Sequence, residues 1–483
     1  MHQFISRSLL HSQLLIFIAI FSLSACTQDE PLYDDSEQAV AESSAQTDNS
    51  SMAETNVESS DTMSPAKVKI EKINDVYRMT VNGQPFHIKG AGLDYRAGKD
   101  FAGLKAAGAN AFRTWGTETL DIELAQAKEH GLMMAVGLDV DKELHGFDYN
   151  DEEAVAKQFE KVKATVQKYK NHPNVLAWVV ANEPNLLVLD NGTLGIVNPK
   201  VYEAISEIID YIHAEDPNHP VTYTFAGVIP DHIKTAMQYT PQVDFVSVQV
   251  YGDLRAVNDM YANLDIDKPF TVTEYGPLGH WETPFTAWGR EIEEPSSVKA
   301  AGMAERIQKG LAVNPTGKNI GGFAFLWGQK QERTPTWYGM YHKDGSQTER
   351  IDEMTKYWTG KYPENRAPQV KAIRIDNQLP VENIYLAPNA NAVATLDLVE
   401  TDGDDLECKW TMLSEVVERS DGGAFEKEPG NVDFAINAEA SDCAKGVLSF
   451  VTPEKEGDYR LFAYVYDGKG KVGYANAPFF IKP

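Results

Sequence analysis

Eight short apolar runs, separated by amphipathic stretches, constrain the fold of this chain more than any other feature. The runs are Phe86–Ala91, Ala109–Thr114, Met133–Leu138, Val175–Ala181, Val221–Phe225, Phe245–Val250, Phe270–Glu274 and Gly322–Trp327. Between them, stretches such as Leu120–His130, Glu152–Tyr169 and Tyr202–His213 repeat their apolar residues at helical spacing. Strands alternating with helices pair in parallel through crossover connections. Eight such units over roughly 250 residues have the count and size of a (β/α)8 barrel. An open doubly wound sheet is the competing arrangement, but no Gly-rich phosphate loop follows the first run, and the barrel is expected. Val68–Val81, closed by Asn82-Gly83, reads as a hairpin ahead of it.

The 483 residues exceed what the barrel needs. Residues 363–483 carry short alternating runs such as Tyr459–Tyr466 and Gly473–Ile481, separated by Asp/Gly turns, the habit of an immunoglobulin-like β-sandwich. Pro363 to Pro368 reads as the linker, which leaves residues 66–362 to the barrel, and cleavage there is expected to release a folded module. Residues 27–65 form an acidic, Ser-rich tether; with no Lys or Arg from 27 to 64 and few large apolar residues, it cannot offset its ordering entropy and is expected to be disordered.

Residues 1–26 begin with His2 and Arg7 and continue into an apolar run, Leu14 to Leu23, the size of a signal-peptide core. The run ends in Leu23-Ser24-Ala25-Cys26, which resembles the lipobox of bacterial lipoproteins. That resemblance implies acylation of Cys26 and a lipid anchor in the cell envelope, and Thr27 in place of Asp points to the outer membrane, facing periplasm or exterior. Cys408 and Cys443 then remain as an even pair, able to form one disulfide in an oxidising compartment. The formal net charge of −27 excludes nucleic acid as a partner, because counterion release needs clustered Lys and Arg.

In a barrel of this kind chemistry sits at the C-terminal ends of the strands. The fourth run ends in Ala181-Asn182-Glu183-Pro184 and the seventh in Thr273-Glu274-Tyr275-Gly276. A carboxylate after an apolar strand is costly to desolvate unless paired or used. For either Glu alone a surface position is the simpler reading; at two strands facing each other across one mouth, the pair is favoured. Cleavage of a glycosidic bond needs such a pair, one carboxyl to protonate the leaving oxygen and one carboxylate to attack the anomeric carbon.

Asn182-Glu183-Pro184 and Glu274 at these strands resemble the catalytic pattern of glycoside hydrolase clan A, retaining barrel enzymes that include families 2 and 5; the likeness covers about residues 68 to 360. It implies that Glu183 is the acid/base and Glu274 the nucleophile. It further implies that Arg113, at the end of the second strand, holds the nucleophile. Asn182 would contact the sugar 2-hydroxyl, Tyr251 would touch the nucleophile, and Trp327, ending the eighth strand, would stack on the sugar. Glu274, near Arg113, should stay ionised; Glu183, with no cation of its own and beside Glu274, should hold a proton.

Trp115, two residues beyond Arg113 with the same parity, is a candidate subsite residue. Trp281, Trp288 and Trp337 lie in long loops where their faces could meet sugar C–H surfaces, with simple packing as the alternative. Asp139 and Asp141 follow the third strand as possible hydroxyl ligands or plain loop acids. The eleven His have no H-E-x-x-H or other metal spacing, so neither a catalytic metal nor another cofactor is expected. The Asp402-Gly403-Asp404-Asp405 turn reads as a plain turn, with a Ca2+ site in the sandwich as the alternative.

The expected function is thus a retaining glycoside hydrolase on a β-linked polysaccharide or oligosaccharide. By analogy a β-glucan, with β-1,3 linkage as the first case, leads β-mannan and β-galactosides. A transglycosylase would use the same carboxylates with a sugar hydroxyl as acceptor. A non-catalytic glycan-binding lipoprotein stands behind both, since binding alone needs no such pair.

Overall fold

The computed structural model describes residues 64–94, 96–98, 100–138, 140–189, 194–420 and 423–483. The lipobox, Cys26, the tether up to Met63 and Asp139 lie outside them. Among the described residues no helix is long and apolar enough to cross a membrane.

Eight parallel strands close into a barrel: Ile88–Gly92, Ala111–Arg113, Met133–Gly137, Val175–Asn182, Val221–Ala226, Val246–Gln249, Phe270–Tyr275 and Asn319–Ala324. Each pairs with its sequence neighbours, and the eighth returns to the first with Gly322 opposite Lys89. Closure requires glycine at Gly321. Its φ is +108°, and an added Cβ would sit 2.2 Å from the Ile88 carbonyl oxygen. Helices follow the strands, among them Leu120–His130, Glu152–Tyr169 and Lys200–Glu215. The Glu152–Tyr169 helix starts where the Asp151 carboxylate accepts from the amides of Glu153 and Ala154, two donors that a helix start leaves unpaired. Leu120–His130 stops at Gly131, which takes the left-handed conformation.

The eighth strand lies three residues earlier than its apolar run suggests, ending at Ala324 rather than Trp327. The leading ribbon also has more turns than expected. Val68–Ile73 pairs with Val76–Val81 around Asn74-Asp75, and Asn82-Gly83 turns the chain again into Gln84–Phe86. From this ribbon Ala66, Val68 and Met79 pack with Ala111, Ala135, Ala177 and Phe323 of the barrel strands.

Beyond the barrel, two sheets whose long strands are antiparallel form a β-sandwich. One contains Gln369–Ile375, Asn391–Val399 and Val447–Val451; the other contains Glu407–Ser414, Gly457–Tyr466 and Lys471–Ile481. Val370, Ile373, Phe450, Leu461 and Phe479 are in their shared core. A disulfide joins Cys408 to Cys443, with a Cα–Cα distance of 5.5 Å. At the Asp-rich turn Glu400, Asp402 and Asp404 converge, and the Lys469 ammonium pairs with Asp404.

The sandwich is not a freely linked module, which corrects the expectation for Pro363–Pro368. Gln347–Thr348, before the last barrel helix, pairs with Lys471–Val472 at the edge of the second sheet. The Ala367 amide donates to Asp352, whose other carboxylate oxygen accepts from Lys471 at 2.6 Å. Buried Lys299 pairs with Glu293 and reaches the Tyr474 hydroxyl at 3.4 Å, while buried Arg460 pairs with Glu415 and donates to the Glu291 carbonyl at 2.8 Å. Separating the halves would break the buried Asp352–Lys471 pair, a loss of several kcal/mol by order of magnitude, and would take one hydrogen-bond partner each from Lys299 and Arg460.

Candidate active site

Parallel register aligns polar strand ends at one mouth. Gln249 ends the sixth strand opposite Glu274 on the seventh, Asn182 ends the fourth opposite Thr224 on the fifth, and Arg113 ends the second opposite Gly92 on the first. Glu274 is buried among three hydrogen-bond donors and a cation. Its Oε1 accepts from Trp115 Nε1 at 2.7 Å and Gln249 Nε2 at 2.8 Å, and its Oε2 accepts from the Tyr251 hydroxyl at 3.0 Å. Arg113 Nη1 pairs with Oε1 at 3.6 Å, and its fully buried guanidinium donates to the Thr273 carbonyl and to Asn182 Oδ1. These contacts fix the orientation of the carboxylate at the mouth of the barrel. Burial and the adjacent Glu274 carboxylate raise the Tyr251 hydroxyl well above its ordinary range, which keeps it a neutral donor.

Glu183 is built differently. It is a non-glycine residue at φ +53°, a conformation that costs free energy unless the surroundings hold it. Its amide donates to both the carbonyl and the hydroxyl oxygen of Thr224, each at 3.0 Å, which turns the chain out of the fourth strand. Its carboxyl is pushed up to about 7, first by burial and further by the charge of Glu274, against the opposing pull of Lys142 and Arg113. Lys142 corrects the expectation that Glu183 has no cation of its own: its ammonium lies 3.4 Å from Glu183 Oε2. The raised proton affinity stands, but desolvation is its main cause.

Both carboxyls open into one cleft of about 780 Å3. Trp115, Tyr251, Phe325 and Trp281 line it, with Trp281 58% exposed. Phe325 meets Trp115 edge-on at 5.5 Å and Tyr251 at 6.3 Å. His280 shares the cleft, where burial and the nearby Arg333, Arg419 and Lys330 push its imidazole down to about 3, so it is neutral near pH 7.

Of the residues expected from sequence, Glu183, Glu274, Arg113, Asn182, Tyr251 and Trp115 meet here. Trp115 does more than line a wall, since its indole N–H donates to Glu274. Trp327 does not join them, which corrects the expected stacking role. Because the strand ends at Ala324, Trp327 faces the outer shell, fully buried against Trp358 and Tyr341, with its N–H on the Asp100 carbonyl. Phe325 is the cleft aromatic instead. Trp337 is buried with its N–H on the Leu278 carbonyl, and Trp288 packs on Tyr385 and Phe480 of the sandwich, so both serve packing. Asp141 lines the cleft. Sequence reasoning missed Gln249, Lys142 and Phe325; Gln249 was detectable, since it shares parity with Tyr251 at the same strand end.

A closed parallel barrel with this pair at its fourth and seventh strand ends agrees with the resemblance to the clan A glycoside hydrolases. Within that clan it is related to family 2: residues 72–280 match the family described as glycosyl hydrolases family 2, TIM barrel domain. Among curated proteins the chain is similar to a β-glucuronidase of Paenibacillus borealis, 25% identical over 274 residues that cover 48% of this chain and 42% of that one. It is also similar to a probable mannan endo-1,4-β-mannosidase C of Aspergillus terreus, 31% identical over 148 residues covering 24% and 35%. The chain thus spans less than half the length of these relatives. Among solved structures, the Bacteroides uniformis β-glucuronidase aligns over 86% of this chain and 48% of that one, at 14% identity and a TM-score of 0.47.

Proposed function

We propose that this protein is a retaining glycoside hydrolase acting on β-linked oligosaccharides or polysaccharides, with Glu274 as nucleophile and Glu183 as acid/base. One observation carries the reading: two carboxyls share a cleft in opposite environments, Glu274 held by Trp115, Gln249, Tyr251 and Arg113, and Glu183 raised to about 7 by burial. Such a split assigns nucleophile and acid. In the first step a Glu274 oxygen bonds to the anomeric carbon while the bond to the leaving oxygen breaks, and that oxygen takes the Glu183 proton. With Glu274 esterified its charge is gone, which lowers the proton affinity of Glu183. Glu183 then takes a proton from water as the water oxygen attacks the anomeric carbon and frees Glu274. Two displacements return the original configuration. Asn182, its Oδ1 fixed by Arg113, Thr224 and Gln249, has its amide N–H groups left for the sugar 2-hydroxyl.

The sugar is a finer question. The relatives named above are a β-glucuronidase and a mannosidase, which gives the β-glucan expectation no support beyond the original resemblance. Digestion of a panel of β-glucan, β-mannan, β-galactosides and β-glucuronides, with the initial anomer followed by NMR, tests both points. An inverted first product, or no hydrolysis of any member, refutes the proposal. On sequence alone we further propose that Cys26 anchors the enzyme by lipid in the cell envelope, with the outer membrane as the site.

A further inference from the structure

The cleft is not built by the barrel alone. Between Glu407–Ser414 and Val447–Val451 the sandwich sends a loop back to the segment after the eighth barrel strand, and Gly423, Ala424 and Phe425 line the cleft that holds Glu183 and Glu274. The loop is anchored through Glu426. That buried carboxylate accepts from the Arg333 amide at 2.5 Å, pairs with the Arg333 guanidinium, and accepts from the Ser420 amide at 2.9 Å. The Glu426 amide donates to the Gln331 carbonyl at 3.1 Å, and Lys330 Nζ donates to the Gly423 carbonyl at 2.5 Å. Phe425 beside this anchor is half-buried. One face meets the Arg96 guanidinium at 4.2 Å, and Lys330 lies 5.3 Å from its centre and 5.4 Å from Phe325. Two aromatic rings therefore flank one ammonium in the cleft: Phe325, beside the Trp115 and Tyr251 that hold Glu274, and Phe425 from the sandwich loop.

We propose that Phe425 is a substrate-binding residue, its ring meeting the C–H face of a pyranose unit next to the one attacked by Glu274, so that the sandwich domain contributes to substrate choice. Glu426 is its positioning residue. A ring held by several hydrogen bonds at a cleft wall loses little freedom on binding, which is the property that makes an aromatic an effective contact. Phe425 packs on Phe325 and its neighbours and still lines the cleft with part of its ring exposed, so one side chain joins the loop to the wall and offers an apolar surface to a ligand.

The inference rests on the hydrolase reading, and the test separates the two. Wild type, Phe425→Ala and Phe425→Tyr are assayed on 4-nitrophenyl β-glucoside, β-galactoside, β-mannoside and β-glucuronide, and on β-linked tetra- to hexasaccharides of glucose, mannose and galactose. Loss of one aromatic contact should raise KM on the oligosaccharides roughly five- to tenfold with kcat held. Activity on the aryl monoglycoside and the melting temperature should stay at wild-type values, and Phe425→Tyr should restore KM. Equal losses on long and short substrates, or no loss on either, would overturn the inference while leaving the hydrolase standing. A wild type inert on every substrate would overturn the hydrolase reading and this inference with it.

Discussion

Replacing Lys142 with Met tests how the acid/base is tuned. Lys142 Nζ lies 3.4 Å from Glu183 Oε2, and the two side chains are only 11% and 15% exposed. At that separation two unit charges interact by about 5 kcal/mol at an effective dielectric near 20, and by about 1 kcal/mol in bulk water. A cleft open to solvent falls between, so the ammonium stabilises the Glu183 carboxylate by roughly 1.5–3 kcal/mol, or about one to two pKa units. The sign follows from which form the cation favours. Lys142 lowers the proton affinity of Glu183, so its removal raises a carboxyl that already sits at about 7. Because Glu183 must be protonated to begin the reaction, the alkaline limb of kcat/KM follows its free-enzyme pKa. That limb should move from near 7 to roughly 8–9 in Lys142→Met on substrates with poor leaving groups. Lys142→Arg should keep the limb near its wild-type position. A 2,4-dinitrophenyl glycoside, which needs little protonation, should have no such limb in either enzyme. An unmoved limb, or one shifted to lower pH, would refute the electrostatic assignment.

Four other outcomes are expected. Glu274→Ala should lose nearly all turnover, whereas Glu183→Ala should retain more activity on activated substrates and be partly rescued by azide, giving a glycosyl azide of retained configuration by NMR. The carboxyl separation should be the roughly 5–5.5 Å of retaining enzymes, read from a crystal structure. A protease nick near Pro363 should leave barrel and sandwich co-eluting on size exclusion, because the buried Asp352–Lys471 pair and the bond from Arg460 to the Glu291 carbonyl join them; separate elution of two folded pieces would contradict that. Cys26→Ala should move the protein out of the membrane fraction with specific activity unchanged, and wild-type recovery there would refute the anchor.

Much of the architecture was legible in the sequence because it rests on local physics. Apolar alternation sets strands and helices, their repetition sets the barrel, and the barrel puts strand-final residues at one mouth. For that reason Glu183, Glu274, Arg113, Asn182 and Tyr251, each at or next to a strand end, could be singled out without coordinates. The eighth strand was the weak point. Gly322–Trp327 is apolar throughout, so periodicity could not locate its end, and a three-residue shift turned Trp327 outward and put Phe325 in the cleft. Tertiary structure alone decided contacts between residues whose meeting depends on register or loop path. Gln249 reaches Glu274 through the pairing of two strands, Lys142 reaches Glu183 through the course of one loop, and Phe425 arrives from a different domain. A side chain's local sequence records the element it sits on; the charge or ring it will face is set by how distant elements pack. The proton affinity of Glu183 is raised by burial and restrained by Lys142, both set by distant parts of the chain, and no spacing in the sequence encodes it.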